Sequence, residues 1–114
     1  MIQRFEVGKR LSEMAVFNRT VYLSGQVAED SNASIQVQTS QVLAAIDDLL
    51  AQAGSDKTRI LHAQIFLRDL GDFAAMNQVW EEWLVEGHAP TRATVQAALA
   101  DPKWKVEIVV VAAA

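Results

Sequence analysis

The sequence contains no cysteine, which excludes a disulfide framework, a thiolate metal site and a cysteine nucleophile together, and fits a reducing, cytoplasmic setting. Proline is scarce at two residues and glycine at five. With no linker, repeat or low-complexity stretch, nothing divides residues 1–114 into more than one domain. A positive balance is also missing: ten Lys and Arg against fourteen Asp and Glu leave a net charge of −4. No basic stripe stands ready to displace counterions from a nucleic acid or an anionic membrane, so neither is expected as a partner. No apolar run reaches the ~18 residues of a membrane span, and "MIQRFEVGKR" lacks the long apolar core of a signal peptide. There is no glycine-rich phosphate loop, and His62 and His88 have no carboxylate beside them at metal-ligand spacing. No metal site is expected.

What remains is the makeup of a folded domain, 51% hydrophobic and 21% charged. The first segments, "IQRFEV", "MAVF" and "VYLSG", are short and strand-like, with "NRT" as a turn in which Asn18 tolerates left-handed geometry. From Ser34 the period changes. Ile35, Thr39, Val42, Ile46, Leu49, Leu50 and Ala53 recur at three- and four-residue steps, which predicts a helix ended by Gly54. "RILHAQIFL" is short, β-branched and largely apolar, and predicts a buried strand. A second helix follows, capped by Asp69 or Asp72 and striped by Phe73, Met76, Trp80, Trp83 and Leu84 until Gly87. "RATVQAAL" and "WKVEIVVVA" close the chain as two strands joined by "ADPK". The order ββ(β)αβαββ predicts an α+β sandwich of two helices on one face of a sheet.

The other face then needs a cover. In the last strand Trp104, Val106, Ile108 and Val110 share one side, while Glu107, Val109 and Val111 share the other, so both sides are apolar. An oligomer that buries the second face is expected; a strand end lying over a loop is the alternative.

Three residues stand out chemically. Arg92 in "HAPTRATVQA" follows Pro90, which fixes the backbone just before the strand. A guanidinium held that way suits bidentate capture of a carboxylate, though a strand-end arginine can equally be a solvated charge. Glu107 interrupts "VEIVVV", and there it suits a general acid or base or one half of an internal ion pair. Asn77 shares a helical face with Phe73, Trp80 and Leu84, so its amide needs a buried partner, or ties a loop to the helix. Ser24 in "YLSGQ" lacks the flanks of a nucleophile elbow and reads as a hydrogen-bonding hydroxyl at a strand end. If the last two strands form a hairpin about Pro102, Arg92 lies opposite Ala112 and Glu107 lies roughly 17 Å further along. A joint site would then have to cross a subunit boundary.

"YLSGQV", the "DFAAMN" helix start, "P-x-R" before a strand and the "VEI" strand occur in one order over Val16 to the end. Together they resemble the RidA family, the reactive intermediate deaminases also called YjgF. The "W-x-x-W" helix followed by "GHAPTRATVQA" is most similar to its YoaB-type branch. The resemblance implies a chorismate-mutase-like fold assembled as a homotrimer, with ligand sites between subunits. It implies a cofactor-independent enamine/imine deaminase that hydrolyses 2-aminoacrylate- and 2-iminobutanoate-type intermediates to 2-oxo acids and ammonia. Arg92 takes the place of the carboxylate-binding arginine and Glu107 that of the catalytic glutamate. Ser24, Asn77, Thr94 and Leu11 fall at substrate-binding positions. Leu11 stands where active relatives often carry an aromatic, and Ala93 and Thr94 replace a common Ser-Cys pair. The competing readings are a non-catalytic trimeric module, carboxylate-binding or chaperone-like, and an endoribonuclease, against which the acidic charge counts.

Overall fold

Two helices with one apolar face each need a sheet to cover, and the computed structural model, which describes residues 1–114, supplies it. The strands are β1 (Gln3–Val7), β2 (Ser12–Phe17), β3 (Thr20–Leu23), β4 (Gln26–Val27), β5 (Ile60–Leu67), β6 (Thr91–Gln96) and β7 (Val106–Ala113). The helices are α1 (Ile35–Gln52) and α2 (Phe73–Trp83). The expected α+β class and the two-helix layer are observed. The two-residue β4 is an addition: the chain leaves β3 at Ser24 and Gly25 and pairs again with β7.

Helix α1 begins and ends where its sequence directs. The Ser34 hydroxyl accepts a hydrogen bond from the Val37 amide at 3.2 Å, and Gly54 follows the Ala53 cap with φ of 71°. Its stripe of Ile35, Thr39, Val42, Leu43, Ile46, Leu49 and Leu50 is buried, each large aliphatic contributing roughly 1.5–3 kcal/mol. Helix α2 starts after Asp72, one of the two expected cap residues, and ends earlier than expected. Asp69 caps a preceding 3₁₀ turn by accepting from Gly71 N at 2.8 Å, while Asp72, at the helix cap, makes no side-chain bond. The helix stops at Trp83, because Leu84 is already extended (ψ 152°), and Gly87 serves the following loop with φ of 84°.

The strand order is β1-β2-β3-β7-β5-β6, with β4 also on β7. This corrects the hairpin expected about Pro102: β6 and β7 do not pair, since β5 lies between them, antiparallel to β7 and parallel to β6. The reason is connectivity. A strand that follows a helix crossover from β5 joins β5 in parallel, and the apolar β5, fully buried at Ala63, Ile65 and Leu67, takes the interior slot.

The core is one cluster of 20 buried apolar residues between the helices and one sheet face, including Met14, Val21, Ile65, Met76, Val106, Ile108 and Val110. Gln38 is fully buried with them. Its amide donates to Ser31 O, Ala33 O and Lys103 O, and its oxygen accepts from Lys105 N, so its polarity is matched. On the opposite face Tyr22, Phe17 and Val95 are exposed, and Phe66, Val109 and Val111 are half-buried. The alternation expected for the last strand is observed, Val106, Ile108, Val110 and Ala112 being buried and their neighbours half-buried.

Candidate active site

Register decides which face each site residue occupies. Directly paired residues point to the same side of a sheet, and Ala63 pairs with both Arg92 and Val110. Arg92 therefore lies on the helix-covered face. Its guanidinium carbon stands 5.4 Å from the Trp80 ring centroid and 5.9 Å from that of Phe73. Cation–π contact of this kind holds the head group in place while leaving its N–H donors free. Burial lowers the Arg92 pKa from its usual value, with Glu81 opposing the shift. A half-buried guanidinium of this kind gains from an arriving anion, because the anion replaces lost hydration.

Around Arg92 is a groove of about 390 Å³ lined by Asn77, Trp80, Glu81, Leu84, Ala89 and Pro90. Thr94, two residues along β6 and so on the same face, has its Oγ1 buried without a hydrogen-bond partner, as does Asn77 Oδ1. The sequence required a partner for Asn77; within one chain this oxygen has none. Buried polar atoms left open cost roughly 1–3 kcal/mol each, and they persist most readily where a ligand or water completes them.

Glu107 is on the other face. It pairs with Phe66 and Val27, and its carboxylate rests against Gly25, where an added Cβ would stand 2.0 Å from Oε2. A larger residue there would push the Glu107 carboxylate aside. Glu107 borders a second groove, about 220 Å³, lined by Phe66, Ala97, Ala98, Leu99 and Ala100. Ser24 completes this end: its hydroxyl donates to Ser12 O at 2.6 Å, tying the β3–β4 corner to β2 and keeping acceptor capacity. The strand-end hydroxyl expected from the sequence is observed.

Within one chain the residues form two groups that do not meet. Arg92 and Glu107 lie on opposite faces, with their backbones about 14 Å apart by strand spacing and rise. The expected separation holds, but its geometry is different: Arg92 is level with Val110, not Ala112, two strands away. Leu11 is farther still, half-exposed between β1 and β2 at the sheet edge opposite β6. Sequence reasoning passed over Gly25 and placed Trp80 and Phe73 only in the apolar stripe. The "SGQ" motif and the offset from Asn77 to Trp80 were the available signals. No three His, Cys, Asp or Glu side chains are grouped to hold a metal ion, and no helix is long and apolar enough to cross a membrane.

A mixed sheet covered on one face by two helices places the chain among the α+β proteins. The family model described as endoribonuclease L-PSP matches residues 1–114. The RutC family protein of Haemophilus influenzae is 52% identical over 114 residues, covering 97% of each chain. RutC family protein YoaB of Escherichia coli is 50% identical over 112 residues, covering 98% of this chain and 97% of YoaB. A crystal structure of a YjgF family member from Neisseria meningitidis superposes with a TM-score of 0.96 at 46% identity, covering 99% of this chain and 94% of that one. The chain belongs to this family, RidA/YjgF, and to its YoaB-like branch. More distantly, a goat protein named 2-iminobutanoate/2-iminopropanoate deaminase is 32% identical over 107 residues, covering 89% of this chain and 77% of its own.

Proposed function

We propose that this protein is a cofactor-independent deaminase acting on 2-imino acids and their enamine tautomers, in sites shared between copies of a cytoplasmic homotrimer. The observation that carries the reading is Arg92: a partly desolvated guanidinium, backed by Trp80 and Phe73 and open to a groove. A carboxylate is the planar anion that such a fork accepts best. The goat relative's name supports the chemistry, and the uncovered apolar sheet face supports association.

In this mechanism Arg92 binds the substrate carboxylate and fixes the imine carbon. Water adds to that carbon while Glu107 of a neighbouring copy takes one of its protons and passes it to the imine nitrogen, giving a carbinolamine. Glu107 then takes the carbinol hydroxyl proton and delivers it to the departing nitrogen as the C–N bond breaks, and the products are one 2-oxo acid and one ammonia. The imine is already electrophilic, so placement supplies much of the rate. The decisive experiment compares wild type with Glu107→Gln. Ammonia and 2-oxo acid release from freshly generated 2-iminobutanoate should be lost in the variant while 2-oxobutanoate still binds. Binding without turnover by wild type would instead establish the carboxylate-binding module. Against an endoribonuclease, the chain carries a net charge of −4 and no basic stripe.

A further inference from the structure

The nine residues from Ala97 to Lys105 connect β6 to β7 without pairing in the sheet. Their far end is well anchored. Gln38 holds Lys103 O and Lys105 N, the Trp104 indole donates to Ala28 O at 3.2 Å, and Asp101 closes its own turn on Lys103 N. The near end, Ala97 to Ala100, is three alanines and one leucine, half-buried or exposed. Side chains that short offer little packing of their own, yet this stretch is the wall of the Glu107 groove.

Arg68, the first residue after β5, supplies the hold. Its Nη2 donates to Leu99 O at 3.2 Å and to Asp101 O at 2.8 Å, and its Nε donates to Trp104 O at 2.9 Å. Its amide donates to Lys105 O, its carbonyl accepts from the Gln96 side chain, and the adjacent Leu67 O accepts from Ala97 N. One planar fork thus spans three carbonyls of a single connecting segment, which an ammonium on a flexible stem does less well.

We propose that Arg68 is a positioning residue that holds Ala97–Ala100 as a fixed wall beside Glu107, and so limits the side chain that a ligand can carry. The proposal rests on the site reading above: with the carboxylate on Arg92 and Glu107 at the carbon that bears the nitrogen, the ligand's carbon chain lies beside Glu107, against this groove. It places size selection in a residue that touches no ligand atom.

The test is titration of the intact protein with 2-oxobutanoate and with bulky phenylpyruvate, alongside amide hydrogen exchange. Wild type should favour the small acid, and Arg68→Met should narrow that preference by about tenfold, the scale of steric discrimination in an apolar pocket. Exchange should quicken across 97–104 and stay unchanged in α1. Arg68→Lys, which keeps the charge without the fork, should narrow the preference by about threefold, and it decides the matter if Arg68→Met does not fold. An unchanged ratio, an equal loss for both acids, or quicker exchange without a change in ratio would overturn the proposal, as would a wild type that binds neither acid. Binding of both acids by a wild type that turns over no imine would remove the deaminase reading and leave the size-selection result to stand on its own.

Discussion

Val109 and Val110 are neighbours in β7, identical in chemistry, and they live in different solvents. Val110 is fully buried under the helices with Ala63 and Ile108, while Val109 faces outward, half-buried, with Phe66 and Glu107 on the same side. The apolar core under the helices is packed within one chain. The open face is not, although its side chains are almost as apolar. The same division runs through the site, because Arg92, Thr94 and Asn77 belong to the covered side and Glu107, Gly25 and Ser24 to the open side. Within one chain these two groups stay apart, so the proposed mechanism, which needs both an anchor and a proton carrier, requires a second copy.

Charging each face in turn sharpens the contrast most. Val110→Asp buries an unpaired carboxylate in the core and should cost several kcal/mol, enough to unfold a marginal domain. Val109→Asp should leave the far-ultraviolet circular dichroism intact and convert the assembly to monomers in sedimentation. Similar loss of fold in both would erase the distinction between the faces.

Next in size is Arg92→Ala, expected to reduce kcat/KM for 2-iminobutanoate by about a thousandfold, the loss of a bidentate charge-assisted contact worth about 4 kcal/mol. Its melting temperature should change little. Gly25→Ala then tests the other half-site from the backbone side. The new methyl displaces Glu107 and should lower kcat by about 10- to 100-fold with 2-oxobutanoate binding retained, since Glu107, not Arg92, is what moves. The smallest effect belongs to Thr94→Val, which removes a buried hydroxyl that has no partner. Chemical denaturation should show no loss, or a gain of up to ~1 kcal/mol, together with weaker ligand binding. A clear loss of stability would mean that the hydroxyl is satisfied within the fold.

Much of this arrangement was legible in the chain because its signals are local. Ser34 and Gly54 bracket α1 at hydrogen-bonding and left-handed positions, and the parity of Val106 to Val111 alone separates Glu107 from the core. The insertion of β5 between β6 and β7 was not legible, because strand pairing is a long-range choice and the turn at Pro102 mimics a hairpin. That single difference moved Arg92 from opposite Ala112 to level with Val110. Nor could spacing show that Gly25 seats a carboxylate, that Gln38 is fully buried, or that Arg68 reaches three carbonyls more than 30 positions away. Each depends on which loops meet at the ends of the sheet.

The central claim, that one site is assembled from two copies, is tested most directly by mixing Arg92→Ala with Glu107→Gln, two variants each expected to be inactive. Co-expressed in equal amounts, they should regain about a quarter of wild-type ammonia release, because a quarter of the shared sites then pair an intact arginine with an intact glutamate. A mixture as inactive as either variant alone would contradict the account.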